Sequence, residues 1–181
     1  IPAGAGCLRL LQLHQEKRNK RGRPLGAMQN TMAVFDLIGF GRVSSSADDA
    51  RGKFLVPRSD VICFSKEAQL KKAKDVALAR LDGFEAIPET PVLLPGRSGY
   101  LVIEGTIDGM RRAKQISSHA AKIAKIQANI LTGGPDASPV EPVSEERILQ
   151  LERDAFVQLV KEPKTQERMA YMLKKGKPLF N

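Results

Sequence analysis

Apolar residues at helical spacing run through the second half of the chain, and that spacing limits the folds open to it. Ile107, Met110, Ile116, Ala120, Ile123, Ile126 and Ile130 recur mostly every three or four positions. They predict one long amphipathic helical region beginning at Tyr100. "TGGPDASPVEP", residues 132–142, ends it as a linker. Ile148, Ala155, Phe156, Leu159 and Val160 predict the buried stripe of a following helix. Ser144 can cap it, and Glu145 and Glu146 in its first turn suit the positive end of the helix dipole. Glu145, Glu146 and Glu152 then fall on its solvent side. A last helix starts at Pro163, turns Met169, Met172 and Leu173 inward, and stops at Gly176 before Pro178.

The first half is more broken. Leu8 and Leu11 predict a helix after the turn "PAGAG", and "RGRPLG", residues 21–26, interrupts it. Met28, Met32, Phe35 and Ile38 form one apolar face of a second helix, which ends near Gly39 and Gly41. "SSSADDAR", residues 44–51, reads as a short helix capped by Ser46, with Asp48 and Asp49 at its start. "KFLVPRSDVICF", residues 53–64, reads as an extended piece bent at Pro57. Ser65 can cap the next helix, whose face carries Leu70, Ala73, Ala77 and Leu81. Residues 82–99 hold Pro88, Pro91, Pro95, Gly96 and Gly99 and make a connector, with a short extended run at Val92–Leu94. The fold class is therefore mainly α with a few short strands. Strands so few and short cannot make a sheet of their own; they would belong to a sheet whose other strands lie elsewhere.

Composition narrows the chemistry. The formal net charge is +9, and residues 1–30 carry Arg9, Lys17, Arg18, Lys20, Arg21 and Arg23 against Glu16 alone. The run "EKRNKRGR", residues 16–23, can serve a polyanion or simply solvate a loop. No aromatic residue lies near it to stack a base, which disfavours nucleic acid. Cys7 and Cys63 sit among apolar residues and read as buried thiols rather than a disulfide framework. His14 and His119 lack partners at metal-ligand spacing, so no metal is expected. No apolar run approaches the ~20 residues that span a bilayer, and a cytoplasmic setting is the expectation.

Motifs for cofactors fail when tested. "PAGAG" before a helix can aim backbone N–H groups at an anion, but neither it nor "IGFGRV" (38–43) is the GxGxxG of a dinucleotide fold, and no Walker A loop occurs. No Ser or Cys is paired with a His as nucleophile and base.

The turn "IPAGAGC" resembles the "IP-G-GGT" turn of the crotonase (enoyl-CoA hydratase/isomerase) superfamily. "SSHAAKIAKIQANILTGG" (117–134) and "SEERILQLERDAFVQLVKEPKTQERMAYMLKKGKPLFN" (144–181) resemble the C-terminal end of multifunctional 3-hydroxyacyl-CoA dehydrogenase/enoyl-CoA hydratases of bacterial β-oxidation, which reads "LEREAF…TQERI.HMLKTGKPLRN". The chain departs from the family at Ala5 in the turn, usually Gly; at Phe180 in the tail, often Arg; and at Arg51–Gly52, which shortens the link into the strand.

The resemblance implies the C-terminal portion of a crotonase-like α/β fold plus a helical extension. Residues 1–82 would be core, 83–99 connector and 100–181 the helical region. It implies an acyl-CoA substrate, with NAD used only by a dehydrogenase part elsewhere in the polypeptide. The catalytic glutamates and the glycine-rich oxyanion loop would lie upstream, so the 181-residue chain would be inactive alone. Ala3 would present its backbone N–H to the catalytic water, and Lys17, Arg18, Lys20, Arg21 and Arg23 could contact CoA phosphates. Partners would be the missing N-terminal part, acyl-CoA and a second copy of the chain. The alternative is a non-catalytic helical interaction module that binds a protein partner or an anionic surface.

Overall fold

The computed structural model describes residues 2, 4–19 and 26–181, with backbone only at 17–19. Eight helices run through these residues: α1 (Gly6–Asn19), α2 (Ala27–Gly39), α3 (Ala47–Gly52), α4 (Gln69–Ala79), α5 (Gly96–Arg112), α6 (Ser118–Leu131), α7 (Glu145–Val160) and α8 (Pro163–Lys175). The mainly α expectation agrees with this. The crotonase-like α/β portion is not supported, because no strand forms among the described residues. Val92 and Val143 make an isolated antiparallel bridge, exchanging N–H···O bonds of 3.0 and 2.8 Å.

The chain divides into two compact units, one of Ile1–Val43 with Thr90–Asn181 and the other of Ser44–Glu89. These bounds cut the chain at different places from the 1–82, 83–99 and 100–181 division.

In the larger unit α6 is the hub and packs on α1, α2, α5 and α7. Its Ala121, Ala128, Ile130 and Leu131 meet Leu8 and Leu11 of α1, Val34 and Phe35 of α2, Ile103 and Ile107 of α5, and Ile148, Leu151 and Ala155 of α7 in one aliphatic core. Burying one such branched side chain stabilises by roughly 1.5–3 kcal/mol. The Val92–Val143 bridge places both valines, and Leu94, in the same core. The long periodic region of the sequence is two helices rather than one. Lys114 adopts a left-handed φ of 56°, and Ser117 starts α6 by accepting the Ala120 N–H at 3.1 Å. The apolar spacing persists across the break because both helices face the same core.

Gly96 opens α5 with φ +60°, and a Cβ there would sit 2.1 Å from the Ala137 carbonyl oxygen. Its N–H donates to the Thr132 carbonyl at 3.0 Å, tying the start of α5 to the end of α6.

The smaller unit begins with α3. Ser46 caps it, accepting the Asp49 N–H at 3.0 Å. Asp49 in turn bonds Lys53 and the Ser45 N–H; those bonds, the lysine's first, hold its carboxyl below the usual range. Residues 53–64 are turns, not a strand: the Leu55 N–H returns to Ala50 O at 2.9 Å and the Asp60 N–H to Pro57 O at 3.3 Å. Amides spent locally are not available to a neighbouring strand. Ser65 accepts the Ala68 N–H at 3.2 Å, one turn ahead of α4. No residue of α4 is buried; the predicted face of Leu70, Ala73, Ala77 and Leu81 lies in solvent.

Met169, Met172 and Leu173 of α8 are also exposed, contrary to the inward face expected of them. A polar face holds this helix instead. Thr165 Oγ1 lies 3.1 Å from Nε2 of the buried His119, and Lys122 pairs with Glu162 at 2.5 Å. Arg168 Nε donates to Asn181 Oδ1 at 2.8 Å, while Ser117 Oγ donates to the Asn181 carbonyl at 2.5 Å. Gly176 ends α8 in the left-handed conformation, φ 63°, as its sequence position predicted. Phe156 of α7 is exposed too, whereas Ile148, Ala155 and Leu159 are buried as expected.

Gly96→Ala should cost roughly 2–4 kcal/mol in urea unfolding, since it adds a left-handed Cβ and a backbone clash. Gly41→Ala, at φ +57° with nothing near its Cβ, should cost only about 1 kcal/mol. Burial, then Arg168, hold the His119 pKa below its ordinary 6.5. The Lys164 and Lys122 charges act the same way, against Glu162. Folding therefore favours the neutral imidazole of His119, and its contribution is complete above the unfolded pKa of about 6.5 and is lost as pH falls below it. As pH falls below that value, stability should drop more in the wild type than in His119→Gln, read as the melting temperature against pH.

Candidate functional site

The richest polar constellation lies where the first turn of α1 meets α7 and the segment after Glu89. Gly4 (φ 48°) and Ala5 (φ 65°) turn the chain into α1 through successive left-handed residues. For Ala5 that conformation costs about 1–2 kcal/mol, and its side chain packs on the core. The turn aims the first-turn amides of α1 at α7, where the side chain of Glu152 is only 6 % exposed. Glu152 Oε1 accepts the Leu8 N–H at 2.9 Å. The carboxylate thus caps α1 from another helix and sits at its positive end.

This corrects the expectation that Glu152 faces solvent. Ile148, Glu152, Ala155 and Leu159 lie at i, i+4, i+7 and i+11 on one stripe, and that spacing already pointed Glu152 inward. Glu145 is half-buried rather than solvent-facing, and only Glu146 is exposed as expected. Glu145 Oε1 accepts Gln12 Nε2 at 2.7 Å and the Thr90 N–H at 2.8 Å. Gln12 Nε2 also donates to the Thr90 carbonyl at 3.1 Å. Gln15 receives the Leu93 N–H at 2.9 Å and donates to the Pro91 carbonyl at 3.2 Å. Gln12 and Gln15 carried no sequence signal beyond their place in an amphipathic helix.

The junction consumes its polar groups in joining elements. Cys7 is buried, as expected. Burial pushes its thiol up to about 12, and the neighbouring Glu152 charge adds to the shift. A thiol so raised is not a nucleophile at neutral pH. Cys63 is half-exposed rather than buried, and its Sγ lies 3.2 Å from the Ser65 carbonyl. At the start of α1 the Leu8 amide is already bonded to Glu152, whose charge would repel a phosphate there. Among the described residues nothing fits a dinucleotide.

A shallow groove of about 260 Å³ lies among α5, α6 and α7, lined in part by Tyr100, Lys125, Asn129, Asp154 and Gln158. Small-molecule sites usually enclose ~300–1,000 Å³. Lys125 bridges Glu104 and Asp108 at 3.0 Å each, and the Tyr100 hydroxyl donates to Glu104 at 3.2 Å. Asp108 and Glu104 raise the Lys125 pKa, so its ammonium persists and is no base. Burial, then Glu104, raise the Tyr100 pKa. A second concavity of about 510 Å³ follows α7 and its end, from Arg153 to Glu162.

Of the residues predicted to act, Ala3, Lys20, Arg21 and Arg23 lie outside the described residues. Lys17 and Arg18 belong to α1 as backbone only. Among the described residues no three His, Cys, Asp or Glu side chains are placed to hold a metal ion, and no helix is long and apolar enough to cross a membrane.

Glu152→Ala would leave the buried Leu8 amide unpaired, so it should cost roughly 2–4 kcal/mol in urea unfolding. Glu152→Gln keeps an acceptor and loses only the charge, so it should cost about 1 kcal/mol.

The chain is 36 % identical over 182 aligned residues to a protein of Bacillus subtilis (strain 168) named "Probable 3-hydroxyacyl-CoA dehydrogenase". The match takes in all of this chain but 22 % of that protein. No family model and no solved structure matches the chain.

Proposed function

We propose that this chain is a supporting portion of a fatty-acid β-oxidation protein of the 3-hydroxyacyl-CoA dehydrogenase kind, and that its reactive groups are supplied by the rest of that polypeptide. The observation that carries this reading is the identity to the Bacillus subtilis protein along the whole chain. The substrate would be an acyl-CoA. NAD would be held by a dehydrogenase part outside these residues and would accept hydride there.

The described side chains support a structural role for this portion. Cys7 is kept as a thiol, Lys125 is neutralised by two carboxylates, and Glu152 is spent on the α1 amide. Enoyl-CoA hydration is the finer part of the proposal and rests on the "TQERMAYMLKKGKPLFN" tail and the "IPAGAGC" turn. In that part of the reading the Ala3 N–H orients a water and the basic run Lys17–Arg23 meets CoA phosphates.

The polypeptide of the whole reading frame around residues 1–181 should reduce NAD with a 3-hydroxyacyl-CoA and hydrate crotonyl-CoA. The 181-residue chain should do neither. NADH formation and loss of the conjugated thioester absorbance measure the two steps. Turnover by the short chain, or a frame that adds no dehydrogenase sequence, would overturn the proposal. Oxidation without hydration would keep its dehydrogenase part and remove the hydratase.

A further inference from the structure

The residues from Arg168 to Asn181 include Arg168, Lys174, Lys175 and Lys177 and no acid. Met169, Met172 and Leu173 share one stripe of α8 at i, i+3 and i+4. They stand exposed, Leu173 at 89 %, and Phe180 beyond the helix is 87 % exposed. We propose that this apolar and basic face of α8 and its tail docks on the surface of an anionic lipid bilayer. The proposal is independent of the dehydrogenase reading above.

Three observations carry it. First, the tail is held in place while it displays Phe180. Asn181 accepts from Ser117 at 2.5 Å and from Arg168 at 2.8 and 3.2 Å. Its amide donates to Glu167 at 2.8 Å and to the Lys164 carbonyl at 3.3 Å. An apolar anchor on a fixed backbone loses little freedom when it binds.

Second, the apolar side chains protrude. No residue from Met169 to Asn181 lines either of the two concavities described above. An extended peptide bound by this face would need a groove here to receive it. A bilayer interface accepts protruding side chains a few ångströms into the boundary between headgroups and acyl chains.

Third, the charge is complementary. Exposed Lys174, Lys175 and Lys177 flank the apolar stripe, where phospholipid phosphates would meet them. A lysine near an anionic surface contributes about a fivefold gain in partitioning. Met169 and Met172 adapt their shape to an irregular apolar surface.

The test is co-sedimentation of the full chain with phosphatidylcholine vesicles, against vesicles in which about a quarter of the lipid is phosphatidylglycerol. The chain should sediment with the anionic vesicles, and salt should release it. Lys174→Gln, Lys175→Gln and Lys177→Gln should each weaken binding about fivefold. Leu173→Ser with Phe180→Ser should abolish it while the helical circular dichroism stays unchanged. Equal binding to neutral vesicles would overturn the proposal, as would wild-type affinity in these variants. Loss of binding only when Lys17–Arg23 are neutralised would assign the effect to that run instead. Failure of the wild type to bind any vesicle would overturn the lipid surface and leave the face to an acidic protein segment.

Discussion

A carboxylate buried against a helix N-terminus organises the larger unit. Glu152 is placed among apolar side chains, where an unpaired charge would be costly, and it bonds the first-turn amide of α1. That bond sets where α1 begins relative to α7, and so brings Leu8 and Leu11 onto the core that α6 shares with its neighbours. It also makes the surroundings of Cys7 unfavourable to a thiolate. Two turns earlier in α7, Glu145 ties Gln12 and Thr90 together. Gln12, Gln15, Glu145 and Glu152 are thus occupied in holding elements together.

The smaller unit is built differently. Ala50 is its one buried apolar residue, while Phe64, Leu70, Phe84 and Ile87 are largely exposed. Its helices are held by caps and i, i+4 ion pairs such as Lys71–Asp75, which contribute only a few tenths of a kcal/mol each. An apolar surface of this kind calls for a covering partner. It supports the proposal that the chain is one portion of a larger enzyme.

Local features were readable in the sequence. Ser46, Ser144, Pro163 and Gly176 all serve at the helix ends where their chemistry put them, because a cap depends on residues three or four positions away. The α1, α2 and α7 helices followed from periodicity for the same reason. The turn of residues 53–64 was not readable as a turn, since its apolar content suits a strand that finds a partner ladder. The connector ended earlier than its Pro and Gly content suggested, because Gly96 already begins α5. The candidate site was less readable still. The spacing of Ile148, Glu152, Ala155 and Leu159 places Glu152 on the buried stripe of α7, but its partner was not readable, because the Leu8 amide is distant from it in sequence.

The sequence by itself determined that the chain is mainly helical, where several of its helices are capped, and that its basic charge gathers in residues 16–23. Those properties arise from spacing and from contacts a few residues apart. Only the tertiary structure decided which faces of α4 and α8 meet solvent. It turned the polar side of α8 toward His119 and Asn181 and left Met172 and Leu173 in water, and it turned Glu152 inward onto α1. The reason is physical: a hydrogen bond between distant elements can outweigh the local preference of a side chain for core or solvent, and its partner becomes visible only once the helices are packed.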